Sequence, residues 1–308
     1  MRSHPTVAFG KAMNSLSEPL RRALNFLAGR QGADGGWGYA AVKQSFTEPT
    51  CYALLALAEV SEKRQREERA LAWFAHHLSP AGTVAVEGDE KQIDNWGTIL
   101  AFFTLRRLGI GADLSERYLR HLLRARGNRL NQETSAQLKL DGSLQAWSWA
   151  MGTASWVEPT AYALITLKSQ GLGGHERVKE GEAYLLDRTC YDGGWNYGNK
   201  EVLGVRLEAM PTITAYALLA LQDYARDHEV IQKSLAYLER ELAARQSSLA
   251  LALGVLCFDV YGRPTGKLLH NLLSRQAADG SWRGNAHLTA LAALALKAVD
   301  EKKNVFQI

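Results

Sequence analysis

Apolar residues return along this chain in two registers. In the segments 20–30, 65–78, 116–126, 177–188, 230–245 and 266–275 they recur every three or four positions among charged side chains, as in Leu268-Leu269-x-x-Leu272-Leu273. That spacing predicts amphipathic helices with one face on a core. The segments 50–58, 98–108, 160–167, 214–221, 247–257 and 289–296 are almost free of charge and rich in Ala and Leu. A helix that is apolar all round has to be buried on most sides. The two classes alternate strictly. Buried segments start at irregular steps of about 35 to 60 residues, as in helical repeat arrays with variable loops. No strand-like alternation competes with this reading.

A linear array needs a polar capping repeat at each end, and neither end supplies one. Closing the array on itself removes that need. The predicted fold is all-α, a closed α6/α6 toroid with six outer helices around six inner ones. It is expected as a single domain over 17–300, between an N-terminal extension of 1–16 and a C-terminal tail of 301–308. The stretch 127–155 is long and polar for a connection in a compact domain. It holds Trp147-Ser148-Trp149 and is a candidate cover for one mouth of the toroid.

Composition then narrows the field. The 308 residues are 46% apolar, enough for a large core without disulfides. Cys51, Cys190 and Cys257 lie far apart and form no Cys-x-x-Cys pair, which suits a reducing compartment. The net charge is only +4, and basic clusters such as Lys63-Arg64-Gln65-Arg66 sit beside Glu62, Glu67 and Glu68. That is a solvated helix face, and no nucleic-acid partner is expected. The start, Met1-Arg2-Ser3-His4-Pro5-Thr6-Val7, carries no apolar stretch of signal-peptide type. No apolar run reaches the roughly eighteen residues of a membrane span. A cytoplasmic protein without a transmembrane segment is expected.

Three outer segments end alike, in Gln31-Gly32-Ala33-Asp34-Gly35-Gly36-Trp37, Thr189-Cys190-Tyr191-Asp192-Gly193-Gly194-Trp195 and Gln276-Ala277-Ala278-Asp279-Gly280-Ser281-Trp282, with a weaker echo at Asp141-Gly142-Ser143. Asp-Gly favours a tight turn, and the following Trp can fold back over the helix ends. This is structural stapling. It also resembles the QW repeat of squalene and oxidosqualene cyclases, whose toroid recurs in class II diterpene cyclases and in the β subunits of protein prenyltransferases. The resemblance spans about residues 20–296, and it implies the toroid more strongly than any one chemistry.

In class II cyclases the protonating acid is the middle Asp of an Asp-x-Asp-Asp-Thr motif at the head of an inner helix. Aligned on their Thr, the inner segments here give Asp94-Asn95-Trp96-Gly97-Thr98, Phe46-Thr47-Glu48-Pro49-Thr50 and Trp156-Val157-Glu158-Pro159-Thr160. Trp96 thus stands at the acid position of one, and Glu48 and Glu158 at that of two others. The fourth and sixth offer Thr212 and His287. No Asp-x-Asp-Asp run occurs. Each Pro suggests that Glu48 and Glu158 cap their helices. Favourable placement in the helix dipole would explain both carboxylates without any chemistry. In an apolar lumen, however, a carboxyl keeps its proton and can act as a general acid towards an alkene or epoxide. Ring closure would set Glu48 against His287, the first candidate acid pair, as squalene–hopene cyclases set a His against their acid. Glu158 with Asp94 is the second.

Tyr52 and Tyr162 follow the two glutamates by four positions and Tyr216 follows Thr212 likewise, so each shares a helix face with its ring residue. With Trp96, Trp147, Trp149 and Trp156 they are candidate substrate-binding aromatics that could stabilise a cation. Phe102 and Phe103 read as core. The function expected is isoprenoid handling of the terpene-cyclase type, with an isoprenoid or other apolar small molecule in the lumen and no cofactor. A non-catalytic toroid binding a lipid or protein is the alternative. A zinc protein like prenyltransferase β subunits is another, in which Cys51, His287 and Glu48 would be ligands. Squalene cyclases pair two toroids and prenyltransferases need a second subunit, so a homodimer or second subunit is conceivable. An apolar cavity beside Glu48 would favour a cyclase, and a side-chain-filled centre would count against it.

Overall fold

This computed structural model describes residues 17–40, 44–60, 62–244 and 247–308, and among these it has thirteen helices and two short antiparallel hairpins. In chain order the helices are α1 (Glu18–Ala28), α2 (Thr47–Ala56), α3 (Lys63–His76), α4 (Asn95–Leu108), α5 (Ala112–Arg124), α6 (Gln132–Leu138), α7 (Val157–Ser169), α8 (Glu176–Asp187), α9 (Pro211–Ala220), α10 (Glu229–Ala243), α11 (Ser248–Val260), α12 (Gly266–Leu273) and α13 (Ala286–Asp300). The buried class is α2, α4, α7, α9, α11 and α13. Each packs on the next in that order, and α13 packs back on α2. The amphipathic class, α1, α3, α5, α8, α10 and α12, lies against it.

The hairpins were not expected. They pair β1 (Ala85–Val86) with β2 (Asp89–Ile93) and β3 (Glu201–Val202) with β4 (Val205–Arg206), in the loops leading to α4 and α9. Strands of two to five residues are too short for a period of two to register. The short α6 interrupts the polar stretch 127–155. That stretch meets the head of α4, where the Trp96 amide donates to the Trp149 carbonyl at 3.1 Å and Asp94 bridges Ala150.

The tryptophan turns join the two layers. The fully buried Trp37, Trp195 and Trp282 donate their indole N–H to the carbonyls of Leu27, Leu185 and Leu272 at 2.9, 2.7 and 2.8 Å. Their backbone N–H groups donate to Oγ1 of Thr50, Thr214 and Thr289 at 2.8, 2.9 and 3.0 Å, on the inner helix that follows. Each indole thus gives a second donor to a carbonyl near the end of an outer helix, which also accepts the backbone amide three residues on. Trp147 is a fourth staple, bonded to the Leu122 carbonyl at 2.9 Å and to Thr160 at 3.2 Å, with Arg177 over its ring at 4.2 Å. A fifth turn keeps the backbone bond alone, from the Val84 amide to Thr98 at 3.1 Å. Glycine is required within the turns. A Cβ on Gly280, at φ +87°, would sit 2.4 Å from the Arg22 carbonyl of α1.

Residues 301–308 are not a loose tail. Phe306 is fully buried, stacked on Phe103 with centroids 5.6 Å apart. Lys303 pairs with Glu59 at 2.7 Å, the Asn304 amide reaches the Leu256 carbonyl and Asp259 at 2.9 Å, and Gln222 donates to the Phe306 carbonyl at 2.8 Å. The segment therefore crosses the C-terminal ends of the inner helices. The extension 1–16 lies outside the described residues. No helix among the described residues is long and apolar enough to cross a membrane.

Candidate active site

Glu48 and Glu158 are each the second residue of an inner helix, α2 and α7. Phe46 and Trp156 occupy the N-cap positions, so the capping expectation is corrected by two residues. Pro49 and Pro159 likewise sit two places deeper than expected, at the third helical position. The first turn tolerates them because its N–H groups have no intrahelical acceptor in any case. The shift turns both carboxylates from cap ligands into side chains of the first helical turn. Both are partly exposed.

Glu48 has two neighbours. The Tyr39 phenol donates to Oε2 at 2.5 Å, and His287 Nε2 lies 3.5 Å from Oε1. His287, 7% exposed, is the second residue of α13, capped by the Asn285 side chain on the Leu288 amide at 3.0 Å. Burial lowers the imidazole pKa and the charge of Glu48 only partly offsets this. Near neutrality the imidazole is uncharged, so the contact is not an ion pair. Tyr39 was not anticipated. It follows the staple by two residues, and its own carbonyl receives the Ala286 amide of α13 at 2.9 Å. Its phenol is driven up by burial and then by Glu48.

Glu158 stands apart from that network, with no hydrogen bond or ion pair to another described side chain. Its carboxyl is pushed up to about 8, first by desolvation and then by the negative charge of Glu48. A setting this poor in water favours the neutral form of the carboxyl.

Asp94 does not join Glu158. It caps α4, accepting the Gly97 amide at 2.8 Å. Burial lifts its pKa to about 6, opposed by the amides of Gly97 and Trp96.

The aromatic candidates divide. Trp96 packs edge-on to Tyr162 at 4.4 Å and to Trp149 at 5.4 Å, and Tyr162 lies 4.7 Å from Tyr216. Tyr52 lies 5.1 Å from the His287 ring, and its hydroxyl meets that of Tyr216 at 3.3 Å. Because α2 and α9 are three places apart in the order of inner helices, this contact bridges the middle. The centre one turn below the glutamates is thus filled by side chains. Trp147, by contrast, is a staple facing α5 and α8, where its indole is already bonded, and is corrected from a substrate-binding to a structural residue. Trp156 lines a separate recess with Leu130, Leu144, Tyr184 and Gly198. Phe102 and Phe103 are core, as expected.

Cys51 is sealed in the core and burial pushes its thiol up. No group of three His, Cys, Asp or Glu among the described residues is placed to hold a metal. The zinc set of Cys51, His287 and Glu48 is therefore not assembled. A groove of about 680 Å³ lies between Arg206, Pro211 and Tyr237 and includes none of the candidate residues.

No protein-family model matches the chain. A stretch of 77 residues, 24% of the chain, is 38% identical to drimenyl diphosphate synthase from Streptomyces showdoensis, and it spans only 14% of that protein. Among solved structures, the type II terpene cyclase MstE from Scytonema superposes with a TM-score of 0.64 at 14% identity, over 94% of this chain and 99% of that one. The fold is the one that enzyme uses. A family 76 glycoside hydrolase, a mannosidase from Bacteroides thetaiotaomicron, reaches 0.63 at 10% identity over 93% and 99%. Identities this low establish the fold alone, and the fold carries unlike chemistries.

Proposed function

We propose that this chain is a terpene-cyclase-like enzyme, a closed α6/α6 toroid that starts cyclisation of an isoprenoid by protonation, with Glu158 as the acid. Ring closure is supported by the packing of α13 on both α2 and α1 and by the contact of Gly280 with α1. The reading is carried by the place of Glu158 in the first turn of α7, one turn before the Tyr162 ring that packs on Trp96, together with the burial that pushes its carboxyl up to about 8. The Glu158 O–H would pass its proton to the terminal alkene or epoxide, leaving a carboxylate and a substrate cation. Trp96, Trp149 and Tyr162 offer π faces to that cation. Glu48, already engaged by Tyr39 and beside His287, supplies the negative charge that strengthens the hold of Glu158 on its proton. The structure of an MstE variant with geranylgeranyl dihydroxybenzoate, TM-score 0.66 at 13% identity, supports an isoprenoid as the class of ligand.

The test is incubation with prenyl diphosphates, squalene and epoxidised polyprenyl substrates, followed by product analysis of wild type, Glu48→Gln and Glu158→Gln. Loss of the general acid should cost on the order of a hundredfold or more in rate in Glu158→Gln. Unchanged products in both variants would end the glutamate-acid reading. One observation favours a second reading, a non-catalytic toroid that binds a lipid or protein: the Tyr52–Tyr216 contact fills the centre. Binding of prenyl ligands without turnover of any substrate would support it.

A further inference from the structure

We infer that Tyr52, Tyr162 and Tyr216, backed by Phe306, form the floor of the isoprenoid site and restrict it to short chains. The inference rests on the cyclase reading above and specifies its substrate class.

The geometry is layered. Glu48 and Glu158 occupy the second positions of their helices, and Tyr52 and Tyr162 follow one turn deeper, about 6 Å along the axis. At that depth the Tyr52 and Tyr216 hydroxyls meet at 3.3 Å from opposite sides, and the Tyr162 ring lies 4.7 Å from that of Tyr216. All three tyrosines are buried, at 0%, 0% and 3% exposure for Tyr52, Tyr162 and Tyr216. Above this layer lies a single helical turn, the first of α2 and α7, which carries the two glutamates.

Phe306 keeps the layer from sinking. Its ring meets Tyr162 edge-on at 6.1 Å and Phe103 face to face at 5.6 Å. The segment that carries it is fastened at several inner helices. Gln222 Nε2 donates to the Phe306 carbonyl, the Ile308 amide donates to Gln222 Oε1 at 3.1 Å, and Arg107 reaches the Gln307 carbonyl at 2.5 Å. A fully enclosed side chain on a backbone held by these bonds is a plug with a fixed position. A substrate tail cannot pass through the ring, so length beyond the terminal units must remain at the mouth.

The test is equilibrium binding of geraniol, farnesol and geranylgeraniol, read by quenching of tryptophan fluorescence, which needs no turnover. Wild type should prefer farnesol to geranylgeraniol by about tenfold or more. Tyr216→Ala and Phe306→Ala should each bring the two within about twofold, and Tyr216→Phe, which keeps the ring, should retain the wild-type ratio. A cooperative thermal transition checks that each variant is folded. An unchanged ratio in both alanine variants would overturn the floor while leaving the cyclase reading intact. Wild type that binds none of the three alcohols overturns both, and binding with the expected ratios but no product from any substrate supports the floor and removes the catalysis.

Discussion

His287 Nε2 stands 3.5 Å from Glu48 Oε1, across the contact between the last inner helix and the first. The imidazole is desolvated and its pKa is lowered, so the folded protein resists a proton that the unfolded chain takes up near the ordinary value of 6.5. Its contribution is therefore complete above that value and is lost as the pH falls through the lowered one. Wild type should lose stability between pH 6.5 and 5 more steeply than His287→Gln in denaturant titrations. Parallel curves would mean that Glu48 holds the charged ring as well as water does.

Glu158 has the opposite sign. Its folded pKa of about 8 exceeds the ordinary 4.5, so its contribution is complete below 4.5 and is lost as the pH rises through 8. Between pH 5 and 9 the wild type should lose about 2 to 4 kcal/mol from this source, discounted for its partial exposure. Glu158→Gln should lack that loss and be the more stable protein at pH 9.

If Glu158 is the acid, activity must require its protonated form. Turnover should be level below pH 8 and fall about tenfold per unit above it. A profile still rising at pH 9 would point to a different proton donor.

Asp94 separates capping from chemistry. Asn caps as well as Asp, so Asp94→Asn should melt like wild type, whereas Asp94→Ala should cost about 1 kcal/mol. Activity retained in Asp94→Asn would mark the residue as structural; its loss would make Asp94 a participant in proton transfer.

Trp282→Phe keeps most of the buried ring volume but removes the indole donor, leaving the Leu272 carbonyl with the Arg275 amide alone. Thermal unfolding should register about 0.5 to 1.5 kcal/mol of destabilisation. Thr289→Val, which removes the acceptor of the Trp282 amide, should cost a similar amount, and the two together should be less than additive.

The twelve alternating helices were legible because charge separates the outer class from the inner one, and that contrast survives uncertain boundaries. What escaped depends on geometry that spacing does not encode. Trp147 lies six residues past Asp141, whereas the other staples place Trp three past Asp, so its equivalence to them shows only in the bond to Leu122. Phe306 hides behind Glu301-Lys302-Lys303, a run that reads as solvated. Tyr39 reaches Glu48 by way of a loop, and no periodicity governs a loop. The carboxylates themselves were visible. Their unlike settings, one bonded to Tyr39 and the other dry, were not.

The staple bond from Trp to Thr spans 13 residues at Trp37 and Trp147, 19 at Trp195 and 7 at Trp282. A constant joint with an elastic spacer means that the sequence between them can grow or shrink without moving either layer. The longest spacer already carries the β3–β4 hairpin. These spacers all open beside the glutamates, so the rim is the part of the molecule where new segments can be grafted and old ones exchanged while the scaffold keeps its dimensions.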